Sequence, residues 1–162
     1  MPTNLLIAYN RQLELLHASH AQNLTSIRGV FNRDFVTGSQ IVFRSVVIMP
    51  RPSQDMSPID QLFWHLTTVE VDSATKKREY EMDRSLRIHW IRHHLERSVE
   101  NTIYFKVTDE SRVYILDKSE RYVVVLDPSR AKDAYYLLTA YKLGDSNYKK
   151  ILKKLERRGE LL

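Results

Sequence analysis

The pattern of apolar and polar positions changes period along the chain. Apolar residues recur at spacings of three and four over residues 4–20, which predicts a packing helix. Residues 21–39 are polar and contain Gly29 and Gly38, so we expect an irregular connection there, with room for a short helical turn. The β-branched run Ile41–Pro50 then predicts one largely buried strand.

A second helix start follows a proline-rich loop. Ser57 supplies a cap, Pro58 the first helical position and Asp60 an acid in the first turn, which predicts a short helix to about His65. The residue types of Leu66–Asp72 predict a strand. Charged residues 73–82 predict a loop whose cations Lys76, Lys77 and Arg78 either lie in solvent or contact phosphate.

The central stretch predicts a helix that runs from a cap at Asp83 to about Arg97. Its apolar residues share one arc of the helix, and these are Leu86, Ile88, Trp90, Ile91 and Leu95. Arg84, Arg87 and His94 fall in the same arc, whereas Ser85, His89, Arg92, His93 and Glu96 point towards solvent. Inward charges need partners. An anionic ligand is one possibility, and a carboxylate or tyrosine of the protein is another.

Beyond residue 100 the period becomes that of strands. Four strand-like runs are separated by short polar connections: Thr102–Val107, Val113–Leu116, Arg121–Leu126 and Tyr135–Tyr141. Short connections predict antiparallel neighbours. A final helix is expected from a cap at Ser146 to a stop at Gly159, with lysines along one face. The expected fold is therefore α+β: an antiparallel sheet of about four or more strands with a central packed helix, an N-terminal helix and a basic C-terminal helix.

Length and composition predict one globular domain. The chain has 162 residues, 43% of them hydrophobic. We expect residues 1–57 to form an N-terminal extension of the domain whose core spans residues 58–162. The absence of cysteine excludes disulfides, thiolate zinc sites and cysteine nucleophiles. The sequence shows neither a signal peptide nor a membrane span, which predicts a soluble cytoplasmic protein.

Positive charge is concentrated in the second half. Residues 1–75 carry 5 lysines and arginines against 6 acids, whereas residues 76–162 carry 20 against 14. The second half is therefore the half expected to meet a polyanion, although such a charge also serves solubility.

Familiar enzyme motifs are missing. The chain has no glycine-rich phosphate loop, no GxSxG and no HExxH. His89 and His93 lie one helical turn apart with Glu96 beyond, a spacing that zinc can use, but a solvated face explains them as well. We expect no metal and no cofactor.

A different set of residues fits the metal-free cleavage of RNA. Attack of a 2′-hydroxyl on the next phosphate needs a base, an acid and cations around the phosphorane. His65 and His94 are proton-transfer candidates. The charge stabilisers are Arg84, Arg87, Lys106 and Arg121, and the hydroxyls are Tyr104, Tyr122, Thr139 and Tyr141.

Each of these residues also has a structural explanation. His65 is equally explained as a hydrogen-bonded core histidine. Arg84 and Arg87 can pair with nearby acids, namely Glu79, Glu81 or Asp83. The tyrosines of the last strand, Tyr135, Tyr136 and Tyr141, can pack in the sheet.

Four short segments carry a resemblance to a known superfamily. They are LFWHLTT at 62–68, DRSLRIHWI at 83–91, RYVVVL at 121–126 and YYLLTAYKL at 135–143. With the predicted helix and four-stranded sheet, they make residues 60–158 resemble the small metal-independent ribonucleases, which include barnase, colicin-type toxins and RelE-like toxins of bacteria and phages. The resemblance implies a single-domain endoribonuclease or an inactive relative. It places a site on the sheet face at the helix and implies roles for His65, Arg84, Arg87, Thr139 and Tyr141.

The hypothesis from sequence is a toxin-like, metal-independent endoribonuclease. Its expected catalytic residues are His65, Arg84, Arg87, His94, Thr139 and Tyr141, and its expected RNA-binding residues are Lys106, Arg121, Lys149, Lys150, Lys153 and Lys154. RNA is the expected partner, and an antitoxin-like inhibitor protein is a second. The alternatives are a nucleic-acid-binding protein without catalysis, and a structural protein that binds a partner.

Overall fold

The computed structural model describes residues 9–162. Its α-helices are α1 (His20–Asn32), α2 (Pro58–Thr67), α3 (Met82–Ser85), α4 (Ile88–Glu96) and α5 (Asp145–Glu156), and a π-helical turn, Arg33–Thr37, follows α1. Its strands are β1 (Val42–Phe43), β2 (Val46–Pro50), β3 (Thr68–Asp72), β4 (Lys77–Tyr80), β5 (Thr102–Val107), β6 (Val113–Asp117), β7 (Tyr122–Pro128), β8 (Ala134–Lys142) and β9 (Arg158–Leu161).

Seven of these strands form one sheet in the order β1-β2-β8-β7-β6-β5-β9, while β3 and β4 form a separate hairpin. The α+β class is confirmed, and so is the antiparallel meander from β5 to β8. The prediction of a wholly antiparallel sheet is wrong, because β2 runs parallel to β8. These two strands are separated by most of the chain, and a long connection lets them run in the same direction.

Helices cover both faces of the large sheet. On one face, apolar residues of α1, α2 and α4 pack against Val113, Ile115, Val124 and Leu126. On the other face, Ile151 of α5 joins a smaller core. Every residue of β6 is consequently buried, as expected for a central strand covered on both faces.

One extra residue interrupts the regular alternation of β8. Val125 pairs with Thr139 and Leu126 pairs with Leu137, so Leu138 has no partner on β7. Such a bulge changes the face to which the following side chains point. Leu137 packs in the larger core, whereas Tyr141 packs beside the smaller one.

The predicted N-terminal helix is wrong over residues 9–19, and its remaining residues, 4–8, lie outside the described part of the chain. Residues 9–19 form a non-helical strap instead. Trp90 Nε1–H of α4 donates to Arg11 O at 3.2 Å, and Leu13 N–H donates to Leu86 O, just before α4, at 2.9 Å. Leu13 is buried but Leu16 is 72% exposed, so the spacing of the leucines does not reflect a packing face. The first helix lies where an irregular connection was expected, in residues 20–32.

Two further predictions, for residues 41–50 and 73–82, are wrong because each segment forms part of a β-hairpin that was not predicted. The expected strand Ile41–Pro50 is divided by a tight turn at Arg44 and Ser45, whose φ angles of 50° and 69° match those of hairpin turns. The expected loop 73–82 contains β4, which pairs with β3. Ser57 does cap α2 as predicted, since its side chain accepts from Asp60 N–H.

The central helix is broken rather than continuous. Glu81, and not Asp83, caps α3 by accepting from Arg84 N–H at 2.7 Å. The chain leaves helical geometry at Arg87, and α4 begins at Ile88. The break lets Arg84 and Arg87 approach different neighbours.

The C-terminal helix differs from its prediction at both ends. Gly144 is the N-cap residue instead of Ser146, and the helix ends at Glu156. Gly159 lies in β9, an edge strand that pairs with β5.

His94 forms a buried pair with Asp117. Its Nδ1 lies 2.8 Å from Trp90 O and its Nε2 lies 2.9 Å from Asp117 Oδ2, and both side chains are 1% exposed. Both ring nitrogens of His94 therefore lie within hydrogen-bonding distance of an oxygen atom. The pair ties α4 to β6.

Asp117→Ala should lower the free energy of unfolding by about 3 kcal/mol, because it leaves His94 buried without its partner. Urea denaturation measures this change. Asp109→Ala, at an exposed position, is the matched control and should leave stability within about 0.5 kcal/mol of wild type. A loss for Asp117→Ala no larger than that of the control would contradict the role of this pair.

His89, predicted to face solvent, is only 7% exposed beneath the strap. Burial lowers the pKa of His89 to about 4, although backbone contacts of Arg11 and Tyr9 oppose the shift. The prediction was wrong because the helical phase does not reveal a strap that crosses the outer face of α4.

Stability should therefore fall as the pH drops from about 6.5 towards 4, because the unfolded chain takes up a proton on His89 that the folded protein excludes. His89 alone should account for about 3 kcal/mol over this window. Comparing urea denaturation of wild type and His89→Gln at pH 7 and pH 4.5 measures its share. An unchanged pH dependence in His89→Gln would show that another group is responsible.

Candidate active site

The candidate site lies where β8 loses one of its neighbours. β2 pairs with β8 only as far as Leu137, which is opposite Pro50. Beyond that point α2 and α3 lie beside β8 instead. A cleft opens there on the face of the sheet that α5 covers, since Val125 and Ile151 line it.

The cleft has two halves that share His65, Thr139 and Tyr141. The polar half has a volume of about 510 Å³ and is lined by Arg78, Arg84 and nearby acids. The second half, called here the mixed half, has a volume of about 560 Å³ and is lined by both aliphatic and polar side chains. The three shared residues therefore stand between a charged compartment and one of mixed polarity.

Arg84 is half-buried in the polar half and is held by neutral groups. Its Nη1 lies 3.4 Å from His65 O, 3.3 Å from Thr68 O and 3.4 Å from Thr139 Oγ1. Its guanidinium lies 4.8 Å from the centre of the Tyr141 ring. Within residues 9–162 no carboxylate forms a salt bridge with this guanidinium. Its charge is therefore available to an anion in the cleft.

His65 lies in the last turn of α2, beside three guanidinium groups. Burial lowers the pKa of His65, and the positive charges of Arg78, Arg84 and Arg51 lower it further. The imidazole is consequently neutral near pH 7 and can accept a proton.

Sequence patterns did not identify two of these cations as site residues. Arg78 belongs to β4 and donates to Thr68 Oγ1 at 2.9 Å and to Thr68 O at 2.8 Å, which fixes it at the polar half. Arg51 follows β2 and lines the mixed half. For Arg78 the sequence did give a signal, because the run Lys76–Arg78 was expected either to lie in solvent or to contact phosphate. For Arg51, which lies in a loop, the sequence gave no signal.

Two predicted catalytic residues lie apart from the cleft. Arg87 is 5% exposed and donates to Asp83 Oδ1 at 2.5 Å and to Asp83 O at 2.8 Å. His94 is paired with Asp117 on the opposite face of the sheet. The expectation that the central helix forms a wall of the site is corrected: α4 packs on that opposite face, while α3 and α5 border the cleft.

The predicted RNA-binding cations are scattered. Lys154 lines the cleft but is bonded to Glu110. Arg121 pairs with Asp145 at 2.6 Å, and Lys106 lies 3.9 Å from Glu160, and neither residue lines the cleft. The other three lysines of α5 are exposed: Lys149, Lys150 and Lys153. Of the remaining hydroxyls, Tyr104 contacts Phe43, and Tyr122 is buried against Trp90.

The spacing of His89, His93 and Glu96 does not produce a metal site. His89 is buried, and the His93 ring stacks on Tyr9 at 3.6 Å between ring centres. Among the described residues no group of three or more potential ligands has an arrangement suited to a metal ion. Across the same residues, no helix is both long enough and apolar enough to span a membrane.

Comparisons with known proteins found no match to a family model, to a curated protein or to a solved structure.

Arg51→Gln should raise the pKa of His65 by removing one of the cations that disfavour the imidazolium. The change is measurable as a shift of the His65 Cε1–H titration in NMR spectra. Arg130→Gln is the matched control, because Arg130 is exposed and does not perturb His65. An equal shift in both variants would mean that the effect is one of net charge and not of the site.

Proposed function

We propose that this protein is a metal-independent endoribonuclease. The observation that carries the proposal is the half-buried Arg84, which lacks a carboxylate partner in the described chain and stands beside His65, Thr139 and Tyr141. A phosphate is an anion that suits a guanidinium held in this way. The resemblance to small ribonucleases supports the same assignment, because three of the four segments that carry it contain these residues.

The electrostatics of the cleft suit His65 as the general base. Burial lowers the pKa of His65, and the charges of Arg78, Arg84 and Arg51 lower it further, so the imidazole is neutral before substrate binds. A bound phosphate would offset those charges and make the imidazole more basic at the moment when it has to take a proton. The proton it takes is that of the RNA 2′-hydroxyl.

Cleavage then proceeds by displacement at phosphorus. The 2′ oxygen forms a bond to phosphorus while the bond to the 5′ oxygen breaks, giving a 2′,3′-cyclic phosphate and a free 5′-hydroxyl. Arg84 and Arg78 stabilise the charge that builds on the phosphorane. Thr139 accepts from Arg84, so its own proton can be donated to a phosphate oxygen. We assign Tyr141 as the acid that protonates the leaving 5′ oxygen.

The exposed lysines of α5 extend the positive surface beyond the cleft. Lys149, Lys150 and Lys153 can contact the RNA backbone without reading its sequence, so affinity should fall as salt is raised. Toxin-like control by an inhibitor protein would follow from the same proposal.

Incubation with total RNA in EDTA tests the proposal. Wild type should produce fragments that end in cyclic phosphate. His65→Ala should lower the cleavage rate by about 100-fold or more through loss of the base. Arg84→Gln should lower it by about 100-fold through loss of charge stabilisation. The matched controls, His17→Ala and Arg130→Gln at exposed positions, should cleave at the wild-type rate.

Thermal unfolding of each variant separates lost chemistry from lost structure. Intact RNA with wild type would reject the endoribonuclease. Intact RNA that shifts in mobility in a salt-dependent way would favour a binding protein without catalysis. The absence of both cleavage and shift would favour a protein that binds another partner.

A further inference from the structure

Arg78 and Arg84 lie close together in the polar half of the cleft although both carry a positive charge. Burial lowers the pKa of Arg84, and the charge of Arg78 adds to that shift. In the part of the chain that the structure describes, neither guanidinium forms a salt bridge. Because like charges repel each other, another group has to hold the two side chains together.

The acids that line the polar half do not join the two guanidinium groups. Each of these carboxylates is bonded to another group: Glu70 to Lys76, Glu81 to the backbone N–H of Arg84, and Asp83 to Arg87. The contact that brings the arginines together is therefore a neutral one.

Thr68 supplies an acceptor that both arginines share. Its carbonyl oxygen accepts from Arg78 Nη2 at 2.8 Å and from Arg84 Nη1 at 3.3 Å. Its hydroxyl oxygen accepts from Arg78 Nε at 2.9 Å. One residue, which is only 1% exposed, thus contacts both guanidinium groups without cancelling their charge.

The place of Thr68 in the fold explains why its hydroxyl can accept from Arg78. Thr68 is the residue at which α2 ends and β3 begins. Its hydroxyl donates to Trp64 O at 2.6 Å, within the last turns of α2. A hydroxyl has one proton and two lone pairs, so the bond to Trp64 uses the proton and leaves the lone pairs for Arg78 Nε.

We propose that Thr68 is a positioning residue that holds Arg78 and Arg84 as a pair, so that both guanidinium groups can contact one phosphate. This inference rests on the proposed function, because the phosphate is that of the RNA assigned to the cleft. Guanidinium groups that share a neutral acceptor keep their charge for an anion, and each can donate to phosphate oxygens.

Titration with inorganic phosphate tests the pairing separately from catalysis, and the Nε–H signals of Arg78 and Arg84 in NMR spectra report binding. Thr68→Val keeps the shape of the side chain but removes the hydroxyl, and it should weaken phosphate binding roughly tenfold. Thr68→Ser, which keeps the hydroxyl, should restore the affinity. In an Arg78→Gln background Thr68→Val should weaken binding no further, because the hydroxyl acts through Arg78.

The pKa of His65 gives a second readout that needs no ligand. Thr68→Val should raise this pKa, because Arg78, whose charge lowers it, is then free to move away.

Thr67→Val is the matched control. Thr67 is equally buried and its hydroxyl donates to Phe63 O at 2.8 Å, but that hydroxyl is not bonded to either arginine. Thermal unfolding of Thr67→Val and Thr68→Val compares the structural cost of losing each hydroxyl.

Equal phosphate affinity of Thr67→Val and Thr68→Val would overturn the inference, as would a wild-type protein that does not bind phosphate. Cleavage of RNA is scored separately. If wild type cleaves RNA and Thr68→Val cleaves it at the same rate, the positioning role is rejected while the endoribonuclease is kept. A loss of phosphate affinity confined to Thr68→Val, without cleavage by wild type, would keep the positioning role and reject the endoribonuclease.

Discussion

The end of β2 at Pro50 is the constraint on which the candidate site depends. Proline has no N–H to continue a ladder, and β2 stops where Pro50 faces Leu137. The next part of β8 therefore has a strand neighbour only on its β7 side. An exposed edge of this kind has to be covered. Here α2 and α3 cover it, which brings Arg84 to Thr139 and leaves a cleft between those helices, the sheet and α5.

Three inward basic residues of the central segment have different kinds of partner. His94 is hydrogen-bonded to Asp117, and Arg87 forms a salt bridge with Asp83. Leaving one partner of a buried pair alone costs several kcal/mol, so these two contacts hold the structure together. Arg84 is only half-buried, and its direct contacts are carbonyl, hydroxyl and aromatic groups rather than a carboxylate. The difference separates two residues that are bonded to carboxylates from one that an anion can approach.

Local patterns predicted much of the strand content, and they placed Arg84, Arg87 and His94 on the inner side of the helix. They could not show which of the three lacks a partner, because Asp117 approaches His94 from a distant strand. They also could not show which face of the sheet holds the site. Periodicity describes one element at a time, and the contribution of Arg78 depends on the pairing of β4 with β3. The prediction of a helix was wrong for the strap, because the leucines of the strap do not share one packing face.

The bulge at Leu138 allows one strand to serve two purposes. The part of β8 before it follows the register of β2 and fills the larger core, whereas the part after it presents Thr139 and Tyr141 to the cleft. In an uninterrupted strand, Leu137, Thr139 and Tyr141 would all point to the same side. The inserted residue thus lets the side chains after the bulge alternate independently of those before it. Changes to the residues that line the cleft can therefore accumulate without repacking the larger core.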